Sequence, residues 1–518
     1  MRKYFNITGD CKPKLHYMVD LTQRLEKIKA MVDNGEYFVI NRARQFGKTT
    51  TLKALQRFLA DEYYVISLDF QYLTDEDFTD SKSFVIAFAQ EMLDSVNESI
   101  VIPDEQRKQL EEIADGKTVR MAMLFRIITK WCSNVSKPLV LMIDEVDSAS
   151  DKRVFLDFLG LLRACYINRD VNPTFQSVIL AGVHDIRNLK QNIRPDGEHK
   201  HNSPWNIAAK FDIDMSFSVS DISGMLKEYE NDNHTGMNIE EISQLIYDYT
   251  SGYPVVVTKI CKYIDEDIKS WTKDGIVKAV GIVLAETNPL FESLINKIED
   301  YPDIKDNLYR ILIKGERVPY SPDNESVKNL MRYGFVKAEN NELVISNRIF
   351  ETRLYNLLLT SEEMKNTPIF RAGYYDKPEF IKNSQLDMEL ILKRFVIHFN
   401  DIYSTQTDKF IEDDGRKCFL LYLRPIINGV GNYYIEAQTR DHRRTDIIVD
   451  YLGQRYIIEL KIWHGDKYNS DGEQQLADYL DIYHQNKGYL VTFSFLKDKK
   501  VGVKTVQYGD KIIVEATV

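Results

Sequence analysis

Glu36-Tyr-Phe-Val-Ile-Asn-Arg-Ala-Arg-Gln-Phe-Gly-Lys-Thr-Thr50 passes from an apolar, β-prone run into a Gly-Lys-Thr turn, and Leu52, Leu55, Phe58 and Leu59 follow at helical spacing. The pattern predicts strand, loop, helix. In such a loop the backbone N–H groups and the helix N-terminus hold anionic phosphates, a lysine reaches the terminal ones, and a hydroxyl meets Mg²⁺. Arg44, Gln45, Phe46, Gly47, Lys48, Thr49 and Thr50 are therefore the expected nucleotide-binding residues, with Thr49 also a metal ligand. Arg42 stands where the pattern GxxxxGKT has its first glycine.

A second run supports the first. Pro138-Leu-Val-Leu-Met-Ile-Asp144-Glu145 is continuously apolar and ends in two acids, as a buried parallel strand with a Walker B pair does. Asp144 is expected in the Mg²⁺ shell. Glu145 is placed to orient or activate the attacking water, its alternative role being a solvated acid at a strand end. Further apolar runs at residues 63–68, 175–182 and 213–217 alternate with helical stretches, which predicts an α/β fold with a parallel sheet covered on both faces. His184, just past the strand Ser177-Val-Ile-Leu-Ala-Gly182, is a candidate γ-phosphate sensor or a solvated polar residue. Arg163, Arg169, Arg187 and Arg194 are arginine-finger candidates that would serve equally well as surface ion-pair residues.

The 518-residue chain is too long for one core, and its 44% hydrophobic and 28% charged residues are those of an ordinary globular protein. No internal repeat or low-complexity tract interrupts it. The opening MRKYFNITGD lacks an apolar signal region, and no later stretch approaches the ~18 apolar residues of a membrane helix, so the expectation is a cytoplasmic protein without a membrane partner. Five scattered cysteines without CxxC spacing argue against a disulfide framework or zinc site. A net charge of -11 excludes a generally basic coat but not a local basic groove.

Tyr4-Phe-Asn6-Ile-Thr-Gly, His16-Tyr-Met-Val-Asp20, the run from Asn41 to Thr50, Ser203-Pro-Trp-Asn-Ile and Ser251-Gly-Tyr-Pro254 together resemble the bacterial AAA-like ATPases, relatives of the STAND and archaeal-type ATPases. The resemblance covers about the first half of the chain. It implies an ATP-dependent core over residues 1–258, with Gly-Tyr-Pro in a helical lid, His16 and Tyr17 near the adenine, and oligomerisation through the ATPase. Residues 259–359 read as the rest of the lid and a winged-helix-like segment, in which acids at Glu299, Asp300, Asp303 and Asp306 favour a relay over DNA binding. Residues 360–384 read as a linker.

The last quarter carries a second chemistry. A helix over residues 386–403 and strands over 418–423 and 433–438 lead to Asp446-Ile-Ile-Val, a short turn, and Tyr456-Ile-Ile-Glu459-Leu-Lys461. A hairpin of this size sets Asp446 beside Glu459, and period-two alternation puts Glu459 and Lys461 on one face. Oxygen ligands of this kind hold Mg²⁺ or Mn²⁺, which lowers the pKa of bound water, while the lysine steadies charge on phosphate. With the helix Glu473-Gln-Gln475-Leu-Ala-Asp-Tyr479, the trio resembles the PD-(D/E)XK nuclease superfamily, although Thr445 stands where the motif has proline. The resemblance implies a nuclease domain over residues 385–518. Asp446 and Glu459 would be metal ligands, Lys461 the catalytic lysine, Gln475 and Tyr479 substrate-positioning residues, and Glu436 a further ligand. Arg440, His442, Arg443 and Arg444 are candidates for backbone phosphate or an exposed turn.

The sequence thus points to ATP-regulated, metal-dependent cleavage of nucleic acid. DNA is the first substrate and RNA the alternative, in bacterial anti-phage defence or mobile-element biology by analogy with such fusions. A different class of function stands beside it: a nucleotide-controlled interaction switch whose nuclease-like module binds without cutting.

Overall fold

The computed structural model describes residues 2–96, 100–183, 205–312, 316, 318–359, 366–382, 385–403, 412–427, 431–438, 444–451, 454–463, 466–483, 485–494, 496 and 499–518. Two compact units share the chain. The first comprises Met1–Ser243, Gly252–Lys262 and Met331–Gly334; the second comprises Gln244–Ser251, Tyr263–Leu330 and Phe335–Val518.

The first unit begins with α1 (Thr22–Asp33), β1 (Phe38–Asn41), α2 (Lys48–Leu59), β2 (Tyr64–Asp69), α3 (Ser81–Ser95), α4 (Asp104–Ala114) and α5 (Met121–Ser133). It continues through β3 (Leu139–Asp144), α6 (Arg153–Ile167), β4 (Ser177–Gly182) and α7 (Val219–Asn233), after which the chain runs on through α8 (Ile239–Thr250) and α9 (Pro254–Tyr263). The strands pair in parallel in the order β1-β4-β3-β2. Every residue of β3 and β4 is buried, so these strands read as unbroken apolar runs rather than alternating ones. Phe84 and Phe88 of α3, Trp131 of α5 and Phe155 and Phe158 of α6 close one core with strand residues such as Leu141 and Ile143. Each fully buried side chain of this size contributes about 1.5–3 kcal/mol. Because the sheet is parallel, Asn41, Asp69, Asp144 and Gly182 all end strands at the same edge.

Residues 213–217, expected as a strand, are not one. Their carbonyls go to side chains: Ile213 O accepts from Arg42 Nη2 at 2.7 Å and Ser216 O from Arg24 Nη2 at 3.2 Å. The Phe217 N–H donates to Gly252 O at 2.8 Å, which ties the segment to the Ser251-Gly-Tyr-Pro turn. Gly252 sits at φ 71°, and a Cβ there would lie 1.9 Å from Phe217 O, so only glycine fits.

The second unit contains α10 (Lys273–Ala285), α11 (Pro289–Asp300), α12 (Pro302–Leu312) and α13 (Glu325–Arg332), whose last two residues belong to the first unit. Next come the hairpin β5 (Val336–Glu339) and β6 (Glu342–Ile345), turned by Asn340 and Asn341 at φ 50° and 64°, and α14 (Arg348–Leu359). Residues 368–380, expected within a linker, form α15 (Pro368–Phe380), and β7 (Ile381–Lys382) pairs with β8 (Gln385–Leu386). Then come α16 (Met388–Tyr403) and α17 (Glu412–Ile427). Residues 418–423, expected as a strand, are the middle of α17. An apolar run of six has no period to separate a strand from an all-round buried helix, and here Phe419, Leu420, Leu421, Tyr422 and Leu423 are all buried. Gly373 lets α15 approach so closely that a Cβ would fall 2.1 Å from Tyr422 O.

The chain finishes with β9 (Gly431–Gln438), β10 (Arg444–Tyr451), β11 (Gln454–Ile462), α18 (Asp466–Ile482), β12 (Lys487–Phe493), β13 (Gly502–Tyr508) and β14 (Lys511–Thr517). They form one mixed sheet in the order β13-β14-β12-β11-β10-β9. Leu476, Tyr479 and Leu480 of α18 pack on Ile457, Leu490 and Ile513, which marks the face of the sheet that α18 covers.

Candidate functional site

Gly47 caps α2 at φ 80° and Gln45 precedes it at φ 56°, so the phosphate loop turns twice through the left-handed region before the helix begins. The loop is held from below. Arg42 N–H donates to Gly182 O at 3.1 Å, Tyr253 OH to Arg44 O at 2.7 Å, and the Tyr253 ring meets Phe46 edge-on at 4.7 Å. Gly334 makes room for the loop as well, since a Cβ there would lie 2.9 Å from Ala43 Cβ. Lys48, 7% exposed, donates to the carbonyls of Arg42 and Ala43 at 3.0 and 3.2 Å. Thr49 Oγ1 donates to Asp144 Oδ2 at 2.7 Å, and Asp144 Oδ1 accepts from the Glu145 N–H at 2.9 Å.

Burial pushes the Lys48 ammonium down, with Glu145, Asp147 and Asp144 opposing, and pushes the carboxyls of Asp144 and Glu145 up. The cluster is therefore largely shielded from solvent. Glu145 adopts φ 54°, ψ 39°, a left-handed conformation that costs a non-glycine residue about 1–3 kcal/mol and is held by its surroundings. Asp147, one turn on, accepts from the Val183 N–H at 2.7 Å, and Gly182 is small because a Cβ would sit 2.8 Å from Asp147 Oδ1. A cavity of about 330 Å³ opens beside the loop. Its wall is largely apolar, with Met18, Val19, Phe46, Phe217 and Met225, and carries Arg24 as a cation. Tyr17 lines it too, while His16 is engaged with the Lys12 N–H and Tyr4 OH at 2.9 and 3.0 Å.

Of the arginine candidates, Arg169 donates to Gly35 O at 2.6 Å and stacks over Tyr166, a structural engagement. His184, Arg187 and Arg194 lie outside the described residues, as do Arg440, His442 and Arg443.

In the second unit, Ile447 of β10 stands opposite both Ile435 of β9 and Ile458 of β11. Glu436, Asp446 and Glu459 therefore share one level on three adjacent strands; the carboxylates of Glu436 and Asp446 are outside the described side chains. Glu459 is fully buried, and its Oε1 lies 3.0 Å from Lys461 Nζ. Gly472 of α18 lies directly over that lysine, since a Cβ would meet Lys461 Cγ at 3.3 Å. One turn on, Gln475 Nε2 donates to Tyr479 OH at 3.0 Å. Gln475, Tyr479, Glu459 and Lys461 thus occupy one interface between α18 and the sheet.

A family model described as AAA-like domain matches residues 16–356. The chain belongs to this AAA-like family. As an AAA-like protein it is a P-loop ATPase-type enzyme with a parallel α/β sheet. Among solved structures it is similar to a Walker-type ATPase of Pyrococcus abyssi, at 13% identity over 68% of this chain and 99% of that one, TM-score 0.48. It is also similar to the ORC2 protein of Aeropyrum pernix (12%, 68% and 97%, TM-score 0.39) and to the RuvB Holliday junction branch migration motor of Thermotoga maritima (12%, 66% and 94%, TM-score 0.31). No curated protein matches.

The AAA-like match ends before α15, so the Glu459–Lys461 interface lies beyond it. Sequence reasoning missed three groups around the two sites. Asp69, paired in register with Asp144, adds negative charge beside Asp144 and Glu145. Asp147 buttresses the end of β4, and its signal was its spacing of three from Asp144. Glu515, 3% exposed within the apolar run of β14, was the third, a buried acid in an otherwise oily strand. Among the described residues no helix is long and apolar enough to cross a membrane.

Proposed function

We propose that ATP turnover in the AAA-like part of this chain regulates metal-dependent phosphodiester cleavage of nucleic acid, DNA first, by its C-terminal sheet and α18. The ATPase part is assigned to residues 1–258, the lid and winged segment to 259–359, and the nuclease to 385–518, with 360–384, helix included, as the join. The observation that carries this reading is the meeting of Glu459 and Lys461 at 3.0 Å under the helix bearing Gln475 and Tyr479, on a strand level with Asp446.

In the ATPase, the N–H groups from Arg44 to Thr50 and the start of α2 bind phosphate, and Lys48 swings from the Arg42 and Ala43 carbonyls to the terminal phosphates. Thr49 and Asp144 fit a divalent ion, since a hydroxyl and a carboxylate oxygen already meet at 2.7 Å. A Mg²⁺ ion held by these two residues would neutralise charge on the phosphates. Glu145 orients the attacking water, His184 senses the γ-phosphate, and the ATPase part brings copies of the chain together. In the nuclease, Asp446, Glu459 and Glu436 offer hard oxygen donors suited to Mg²⁺ or Mn²⁺, which lowers the pKa of bound water when present. Lys461 steadies charge on the phosphate, and Gln475 and Tyr479 position substrate. The biological setting we favour is bacterial anti-phage defence or mobile-element biology.

One observation favours a second reading, a nucleotide-controlled interaction switch: Glu459 is fully buried and ion-paired with Lys461, as in a module that binds without cutting. Incubation of plasmid DNA, linear DNA and RNA with Mg²⁺ or Mn²⁺, with and without ATP, separates the two. Cutting by the wild type that is lost in Asp446→Ala and Lys461→Ala establishes the nuclease, and its change with ATP shows the coupling. No cutting under any condition leaves the switch.

A further inference from the structure

The row of residues containing Glu459 does not stop at β11. Glu459 pairs with Leu490 of β12, Leu490 with Glu515 of β14, and Glu515 with Lys504 of β13. With Glu436 and Asp446 on the other side, one transverse row crosses all six strands. Leu490 and Ile513 both pack under α18, so Glu515, two residues beyond Ile513 on β14, faces α18 as Glu459 does. Its Oε2 pairs with Lys504 Nζ at 2.6 Å.

A second carboxyl meets it from above. Glu473 of α18, next to Gly472, comes against the Glu515 carboxyl, an acid on an acid, a contact that one shared proton would hold together. Burial and then Glu515 itself raise the Glu473 carboxyl to about 7, with Lys504 pulling the other way. The neighbouring residue, Gly472, is the one lying on Lys461 and Leu490. The contact of α18 with the lysine and its contact with the acid pair are therefore consecutive along the helix.

We propose that Glu473 and Glu515 form a protonated carboxyl clamp that seats α18 on β14 and so holds Gly472 against Lys461, which makes both acids positioning residues for the site at Glu459 and Lys461. Among the described residues, the charged groups on the clamp's face of the sheet are Lys504 from β13 and Glu459 and Lys461 from β11; β12 places the uncharged Gly488, Leu490 and Thr492 there. With the proton present, the carboxyl of one acid donates to the carboxylate of the other. When the proton leaves, two carboxylates face each other and Lys504 neutralises only one, so α18 lifts from β14. The placement of the clamp rests on the register of β12, β13 and β14 and on the seat of Gly472, and its effect on cleavage rests on the nuclease reading above.

The test compares full-length wild type with Glu473→Gln and Glu473→Ala. The amide of Glu473→Gln can donate to the Glu515 carboxylate at every pH, whereas Glu473→Ala has no clamp. Hydrogen exchange at α18, corrected for the intrinsic pH dependence of the reaction, is expected to lose protection in wild type as pH rises through about 7, to stay protected in Glu473→Gln, and to be unprotected throughout in Glu473→Ala. The same protection profile in Glu473→Gln as in wild type overturns the clamp, and this arm needs no cleavage. Where the protein cuts DNA, the wild-type rate should fall on the alkaline side of about 7 relative to Glu473→Gln. Glu473→Ala should lose about ten- to a hundredfold at neutral pH, the usual effect of removing a group that orients a site residue. Cleavage in Glu473→Gln that follows the wild-type pH profile overturns the positioning role even if the exchange arm holds.

Discussion

Thr49 Oγ1 donates to Asp144 Oδ2 across 2.7 Å, closing the start of α2 onto the end of β3. These are the two donors expected to share one divalent ion, so removing the hydroxyl should be felt only when the metal is present. Thr49→Val keeps the shape of the side chain. Its affinity for a fluorescent ATP analogue should fall about tenfold in Mg²⁺, the scale of one hydrogen bond to a charged group, and be unchanged in EDTA. A loss of equal size with and without Mg²⁺ would remove Thr49 from the metal shell.

Glu145 occupies φ 54° at the entrance of the same cluster. Glu145→Gln preserves shape and strain but not basicity. It should bind ATP as wild type does and hydrolyse it about 10² to 10⁴ times more slowly, the range a positioned general base contributes. Glu145→Gly should also lose turnover while relieving backbone strain, so its melting temperature should rise. Undiminished turnover in Glu145→Gln assigns water activation elsewhere.

The phosphate loop and the apolar strand ending in Asp144 and Glu145 were legible because each is local: a run of apolar residues, a glycine and charged residues within fifteen positions. The same locality failed at residues 213–217, where alternation is present but Arg42 and Arg24 take the carbonyls a neighbouring strand would need. It failed again in α17, whose six apolar residues from Cys418 to Leu423 suit a strand or a helix buried on all sides. The Glu473–Glu515–Lys504 contact was beyond reach for a different reason. It depends on the register of β12, β13 and β14, which pairing across the sheet sets and no local pattern records.

Gly252 illustrates a constraint that is visible only in three dimensions. At φ 71° with Phe217 O 1.9 Å from a would-be Cβ, alanine must both enter the left-handed region and displace Phe217, whose N–H ties it to the Gly252 carbonyl. Gly252→Ala should lower the unfolding free energy by about 2 kcal/mol or more, read from the urea midpoint at unchanged slope. A shift under about 0.5 kcal/mol, typical of a surface substitution, would mean that the turn relaxes freely.

Asp33 accepts from Tyr63 OH at 2.6 Å and pairs with Lys29 Nζ at 2.9 Å. Burial raises its carboxyl, but Tyr63 and Lys29 outweigh that, and the group sits below its ordinary value of 3.8. For an acid with a depressed native pKa, the stabilisation is complete above the unfolded value and disappears as pH falls through the native one. Tyr63→Phe removes the hydroxyl and lets the native pKa climb back toward 3.8. The gap in melting temperature between wild type and Tyr63→Phe should therefore be widest above about pH 5 and narrow as the acid is titrated below 3.8. A gap independent of pH would show that Tyr63 acts through packing against α1 and not through the charge on Asp33.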